Sequence, residues 1–140
     1  MSVAVSTHHA HVIWERGSKD LRAHTVQVGE QEIPMSSMPE NGGDPSRGDP
    51  EELLVAALSS CHMLWFLHLA RRERLRVERY EDEAEGTLAG NRFERTVLRP
   101  RVEFEGVEPP PDLLDELHHR AHELCYIANS VNFPVEVEPR

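Results

Sequence analysis

Apolar residues alternate with polar ones at Ala10, Val12 and Trp14, the two-residue period of a short strand. Met1–Ser6 ahead of it reads as a frayed end. Gly17-Ser18-Lys19-Asp20 is expected to turn, and Leu21–Val28 reads as a second strand. One face of that strand carries Leu21, Ala23, Thr25 and Gln27; the other carries Arg22, His24, Val26 and Val28. Gly29-Glu30 then turns the chain back toward Ile33. From Ser36 to Asp49, the run of Pro39, Gly42, Gly43, Pro45 and Gly48 excludes regular structure and predicts a long loop.

The pattern changes at Asp49-Pro50-Glu51-Glu52. Asp49 suits a helix cap, Pro50 the first helical position, and Glu52 the capping-box spacing. Leu53 to Ala70 is apolar nearly all round, and Arg71-Arg72-Glu73-Arg74 places cations where a helix C-terminus favours them. The length suits a bilayer, but Ser59, Ser60, His62 and His68 interrupt the run, so no membrane span is expected. The segment reads instead as a central helix buried on most sides. A small sheet and one short helix cover too little of it. The pattern therefore predicts a homodimer, in which a second copy of the chain supplies the remaining cover.

Val77–Leu88 follows as a polar strand with Tyr80, Asp82, Ala84, Gly86 and Leu88 on one face. After a turn at Ala89-Gly90-Asn91-Arg92, Thr96, Leu98, Pro100, Val102 and Phe104 alternate with charges. These two segments predict an antiparallel hairpin with long arms, with an edge or bulge at Pro100. Pro109-Pro110-Pro111-Asp112 opens a second helix with Leu113, Leu114, Leu117, Ala121, Leu124 and Cys125 as its apolar stripe. A last strand, Phe133–Glu138, aligns Val135 and Val137. The order is that of a single α+β domain over residues 1–140.

Composition narrows the class. Of 140 residues, 15 are Lys or Arg and 25 are Asp or Glu, a formal charge of −10, which argues against nucleic acid or an anionic membrane as partner. Only two cysteines are present, and Met1 to His11 lacks the basic start and apolar run of a signal peptide. The expected location is the cytoplasm, where both thiols rest reduced.

Those cysteines are the first candidates for chemistry. Cys61 lies mid-helix and Cys125 at the end of the second helix's stripe, so crossing helices would let the sulfurs meet and cycle between dithiol and disulfide. A thiol among apolar side chains has its pKa raised, so reactivity requires a nearby cation. Arg22 either points to water or serves a buried anion; Glu51 is either a helix-terminal charge or the holder of an arginine. His118 and His122 stand four apart on a helix, and His62 follows Cys61, but no local spacing assembles three or four metal ligands. No metal is expected. Nucleophile-elbow serines, P-loops and dinucleotide fingerprints are missing too.

Asp49-Pro50-Glu51-Glu52-Leu53-Leu54-Val55-Ala56-Ala57-Leu58-Ser59-Ser60-Cys61-His62-Met63 resembles the signature helix of the OsmC/Ohr family of thiol-dependent peroxidases. Ala121-His122-Glu123-Leu124-Cys125-Tyr126-Ile127-Ala128-Asn129-Ser130 resembles the family's second cysteine segment. The likeness covers Asp49 to the end closely and the first 48 residues loosely, and lies nearer the OsmC-like branch than the organic-hydroperoxide-resistance branch. It implies an OsmC-like fold, with antiparallel sheets wrapped around a buried central helix in an intertwined homodimer. Cys61 then corresponds to the peroxidatic cysteine, Cys125 to the resolving one and Glu51 to the glutamate of the Pro-Glu motif. Leu21-Arg22-Ala23-His24-Thr25 resembles the segment bearing the catalytic arginine, which selects Arg22, with Arg16 and Arg47 as rivals. The implied substrate is a hydroperoxide, organic ones being favoured by Met63, Leu64, Trp65 and Phe66, and the implied reductant is a dithiol, lipoyl-type among the candidates. No cofactor is implied. The competing readings are a non-enzymatic small-molecule binder or a metal-binding protein on the same fold.

Overall fold

The computed structural model describes residues 5–17 and 20–140. Residues 1–4 of the expected frayed start, and Ser18-Lys19 of the expected turn, lie outside the described residues. Contacts gather the chain into two compact units, residues 1–53 and 54–140.

The first unit holds a three-stranded antiparallel sheet, ordered β1 (His11–Ile13), β2 (His24–Val28) and β3 (Gln31–Met35). Val28 pairs with Gln31 across the two-residue loop Gly29-Glu30. Gly29 sits there at φ +58°, a conformation open to glycine at little cost. β2 starts later than the alternation suggests. Asp20 accepts the backbone N–H of Arg22 at 2.9 Å on its carboxylate and that of Ala23 at 3.2 Å on its carbonyl, so Leu21 and Arg22 belong to a turn ahead of the strand.

The segment after β3 is ordered by its own hydrogen bonds. Ser36 N–H donates to the Gly48 carbonyl at 2.8 Å, closing the loop at its base, and Asp44 N–H donates to the Ser36 hydroxyl at 3.1 Å. Contrary to the loop expectation, one 3-10 turn forms at Pro39–Asn41, ending on Gly42 at φ +84°. A side chain on Gly43 would overlap the Ser37 carbonyl, which keeps this turn tight.

Helix α1 (Pro50–Arg72) begins with the expected capping box. Glu52 N–H donates to Asp49 Oδ1 at 2.8 Å, and Asp49 N–H donates to Glu52 Oε1 at 3.1 Å. It ends in a Schellman-type closure: Leu75 N–H reaches the Ala70 carbonyl at 2.9 Å while Arg74 takes φ +60°. Its buried residues are Leu58, His62, Phe66, Leu69 and Ala70, spaced along one face. Within the chain the helix is thus covered on one side, not on most sides as its sequence suggests. Leu64, facing away, is 60% exposed.

In the second unit the long hairpin arms are each broken once. β4 (Val77–Asp82) pairs with β7 (Pro100–Phe104), and β5 (Glu85–Ala89) with β6 (Arg92–Leu98), both antiparallel. Pro100 lies at the break and has no N–H to donate. The Asp82 carboxylate accepts instead, from Arg99 N–H at 2.6 Å and from the Ser59 hydroxyl of α1. Gly86 permits α1 to lie on β5, because a Cβ there would come within 2.6 Å of Val55 and 2.7 Å of Phe93. α2 (Pro111–Leu124) buries Leu117 and Ala121 against Phe66, Leu69 and Ala70. Leu124, expected in the stripe, is exposed. β8 (Val135–Val137) joins β6 in parallel, so this sheet is mixed rather than wholly antiparallel.

Candidate active site

Cys61 and Cys125 come together. Cys61 projects from the middle of α1 and is half-buried; Cys125 terminates α2 and is buried. Their thiols lie close enough to interact. Burial, with the neighbouring Cys61 sulfur adding to it, pushes the Cys125 thiol up to about 11, while the Ala128 N–H at 3.4 Å from Sγ opposes that rise. Trp65 of α1 packs edge-on against Tyr126 at 5.6 Å beside this pair. Leu64 is exposed and Met63 and Trp65 are partly so, whereas Phe66 is fully buried against Tyr80 and His118 and is unavailable to a substrate.

Arg22 and Glu51 share the walls of a pocket of about 400 Å³, with His24, Ser37 and Asn41. Burial and the negative Asp49 and Glu52 raise the Glu51 carboxyl above the ordinary range. The Arg22 guanidinium lies against Gly42, where a Cβ would be 3.4 Å from its Cζ. Among the described residues no ion pair joins Arg22 to Glu51. Arg47 spends its guanidinium on the carbonyls of His24 at 3.3 Å and Met35 at 3.4 Å, and lies 3.9 Å from Asp44. Arg16 is exposed. Of the three arginines, Arg22 is the one that lines the Glu51 pocket.

One polar contact goes unrecognised in the sequence because its members are 56 positions apart. His62 Nε2 and His118 Nδ1 are hydrogen-bonded at 3.0 Å, deep between α1 and α2. Burial lowers both imidazoles to about 4, helped at His62 by His122 and opposed there by Asp82. The signal available was His118's place beside Leu117 and one turn from Leu114 and Ala121 on the apolar stripe. Among the described residues no three His, Cys, Asp or Glu side chains gather as a metal ligand set.

The architecture is mixed α+β, with a long apolar helix whose Cys61 meets Cys125 at the end of a second helix. Residues 43–140 match the family described as OsmC-like protein, and the chain belongs to that family, with its fold. An OsmC-like protein of unknown function from Vibrio cholerae is 40% identical and has a TM-score of 0.90, over 97% of this chain and 100% of that one. The organic hydroperoxide resistance protein of Bacillus subtilis, 21% identical, shares the fold at a TM-score of 0.69 over 94% of this chain and 98% of its own. One from Legionella pneumophila does so at 20% identity and 0.70, over 98% and 97%. Among curated proteins, none matches the chain.

Proposed function

We propose that the protein is a thiol-dependent peroxidase that reduces organic hydroperoxides, hydrogen peroxide being a further substrate. The observation that carries this reading is the contact between a half-exposed Cys61 and a buried Cys125 at one helix crossing. The names of the two organic hydroperoxide resistance proteins support the substrate class.

Cys61, as thiolate, attacks the terminal peroxide oxygen. The O–O bond breaks, an alcohol or water leaves with a proton, and Cys61 becomes a sulfenic acid. Cys125 then attacks the Cys61 sulfur, water leaves, and a disulfide forms. An external dithiol, lipoyl-type or another, reduces it by exchange and is itself oxidised. Arg22 stabilises the Cys61 thiolate and the peroxide oxygens, and Glu51 orients the guanidinium. The raised Cys125 thiol suits a group that stays protonated until the sulfenic acid has formed.

The 140 residues act as one OsmC-like domain in an intertwined cytoplasmic homodimer, whose second copy covers the exposed face of α1. The test is peroxide consumption with a dithiol, in wild type and in each Cys→Ser variant. A Cys61 no more reactive than a free thiol would return the chain to a non-enzymatic binding role.

A further inference from the structure

Two side-chain contacts that carry chemistry join α1 and α2. One is the facing thiols. The other is the His62–His118 hydrogen bond, with His62 next to Cys61 in sequence and His118 two helical turns before Cys125. The rings lie nearly parallel, at 3°, with centroids 5.3 Å apart, and Phe66 stacks on His118 at 4.3 Å. His62 Nδ1 is buried without a partner. An orphaned lone pair costs less than an orphaned N–H, so His62 Nε2–H is the donor and His118 Nδ1 the acceptor. His118 also lines a cleft of about 300 Å³ bounded by Asp115, His119 and His122 of α2 and Val135 and Val137 of β8. The charged and titratable groups facing His62 are therefore His118 and His122 from α2 and Asp82 from β4.

We propose that His62 and His118 are positioning residues for the cysteine pair: while both are neutral, their hydrogen bond holds α1 and α2 in the register in which Cys61 and Cys125 join, and protonation of the pair releases that register. A first proton, on the free His62 Nδ1, keeps the hydrogen bond but places a charge between Phe66 and the apolar helix faces, where it is costly; a second, on His118 Nδ1, removes the acceptor and sets two like charges side by side, and helix separation lets water reach them. His122 adds to the repulsion when it too is charged, and Asp82 moderates it. The inference rests on the disulfide step proposed above but not on hydroperoxide as oxidant.

The experiment therefore uses 2,2′-dipyridyl disulfide. Cys61 attacks it and expels one thiopyridone. Cys125 next attacks the Cys61 sulfur of the mixed disulfide, the protein S–S bond forms, and a second thiopyridone leaves with the Cys125 proton. The rate of that second release measures closure. It is compared between wild type and a His62→Leu/His118→Phe variant, which keeps the contact apolar at every pH. The variant-to-wild-type ratio is expected below one at pH 7, where only the wild type keeps the hydrogen bond, and about twofold or more higher at pH 4, where the wild-type pair takes up protons. A ratio constant from pH 7 to pH 4 overturns the proposal. If the variant loses its native circular dichroism, the wild-type measurement decides. In a Trp14→Phe/His68→Gln background, which removes the imidazole 5.7 Å from Trp65, Trp65 emission reports the Trp65–Tyr126 contact and must change together with the imidazole NMR titration of His62 and His118. Emission that stays steady through that titration overturns the proposal equally. Failure of peroxide consumption with normal closure kinetics would reject the peroxidase reading alone.

Discussion

Cys61 is half-buried, whereas Cys125 against it is fully buried. On the proposed reading, Cys61 is oxidised first. Cys61→Ser is expected to abolish peroxide consumption. Cys125→Ser is expected to consume one equivalent and then stop turning over with a dithiol. Mass spectrometry of both variants after one equivalent of peroxide checks this, and oxidation of Cys125 in Cys61→Ser at the wild-type rate would reverse the roles.

Arg22 and Glu51 are expected to act as a unit. Arg22→Ala should slow oxidation of Cys61 about tenfold or more, equivalent to about 1.4 kcal/mol of transition-state stabilisation. Arg22→Lys should recover little, since an ammonium lacks the planar two-point contact. Glu51→Ala should cost less, and the double variant less than the sum. The rate of Cys61 alkylation at pH 7 in a Cys125→Ser background, measured beside the peroxide rate, is decisive. Unchanged values in Arg22→Ala would exclude that residue.

Ala56, Ser60, Leu64 and His68 form an exposed stripe along α1, at the four-residue spacing of one helix face. Burial of this face against a second copy predicts a dimer at low micromolar concentration by sedimentation. Leu64→Glu should shift it toward monomer, and a wild-type chain that sediments as a well-folded monomer would reject the assembly.

Acid should destabilise the fold through the buried imidazoles. In the unfolded chain they titrate near 6.5, whereas in the folded chain they are held near 4. The unfolded state thus binds protons first as pH falls. Stability is unaffected above 6.5 and declines between 6.5 and about 4, by an amount on the order of 3 kcal/mol for one such group. Urea midpoints measured across this range should fall in wild type and fall less in His62→Leu/His118→Phe. Parallel curves would contradict the assignment.

Much of this architecture is legible in local sequence because local rules produce it. The Asp49–Glu52 capping box, the Gly29-Glu30 turn and the α2 stripe through Leu117 and Ala121 each depend on residues only a few positions apart. The broken hairpin is not legible in the same way. Pro100 announces a defect in the ladder, but its compensation by Asp82 through Arg99 and Ser59 depends on a helix that precedes both strands. Arg22 illustrates the same limit at the site. Its alternation with Ala23 and His24 suits a strand, yet the Asp20 carboxylate and carbonyl draw Leu21 and Arg22 into a turn. The cysteine segments stand out because they carry a family pattern, whereas the imidazole pair becomes visible only when α1 and α2 pack. At Arg74, sequence gives no warning of a left-handed residue where glycine is the usual choice.

The parallel pairing of β8 with β6 has a consequence for synthesis. Thr96–Leu98 leaves the ribosome long before Val135–Val137, with β7 and all of α2 still to be made in between. Until then one edge of β6 carries unpaired backbone donors and acceptors, the kind of surface through which nascent chains associate. The interval in which this chain is most exposed to misassembly is thus the time taken to translate α2 and the residues leading to β8.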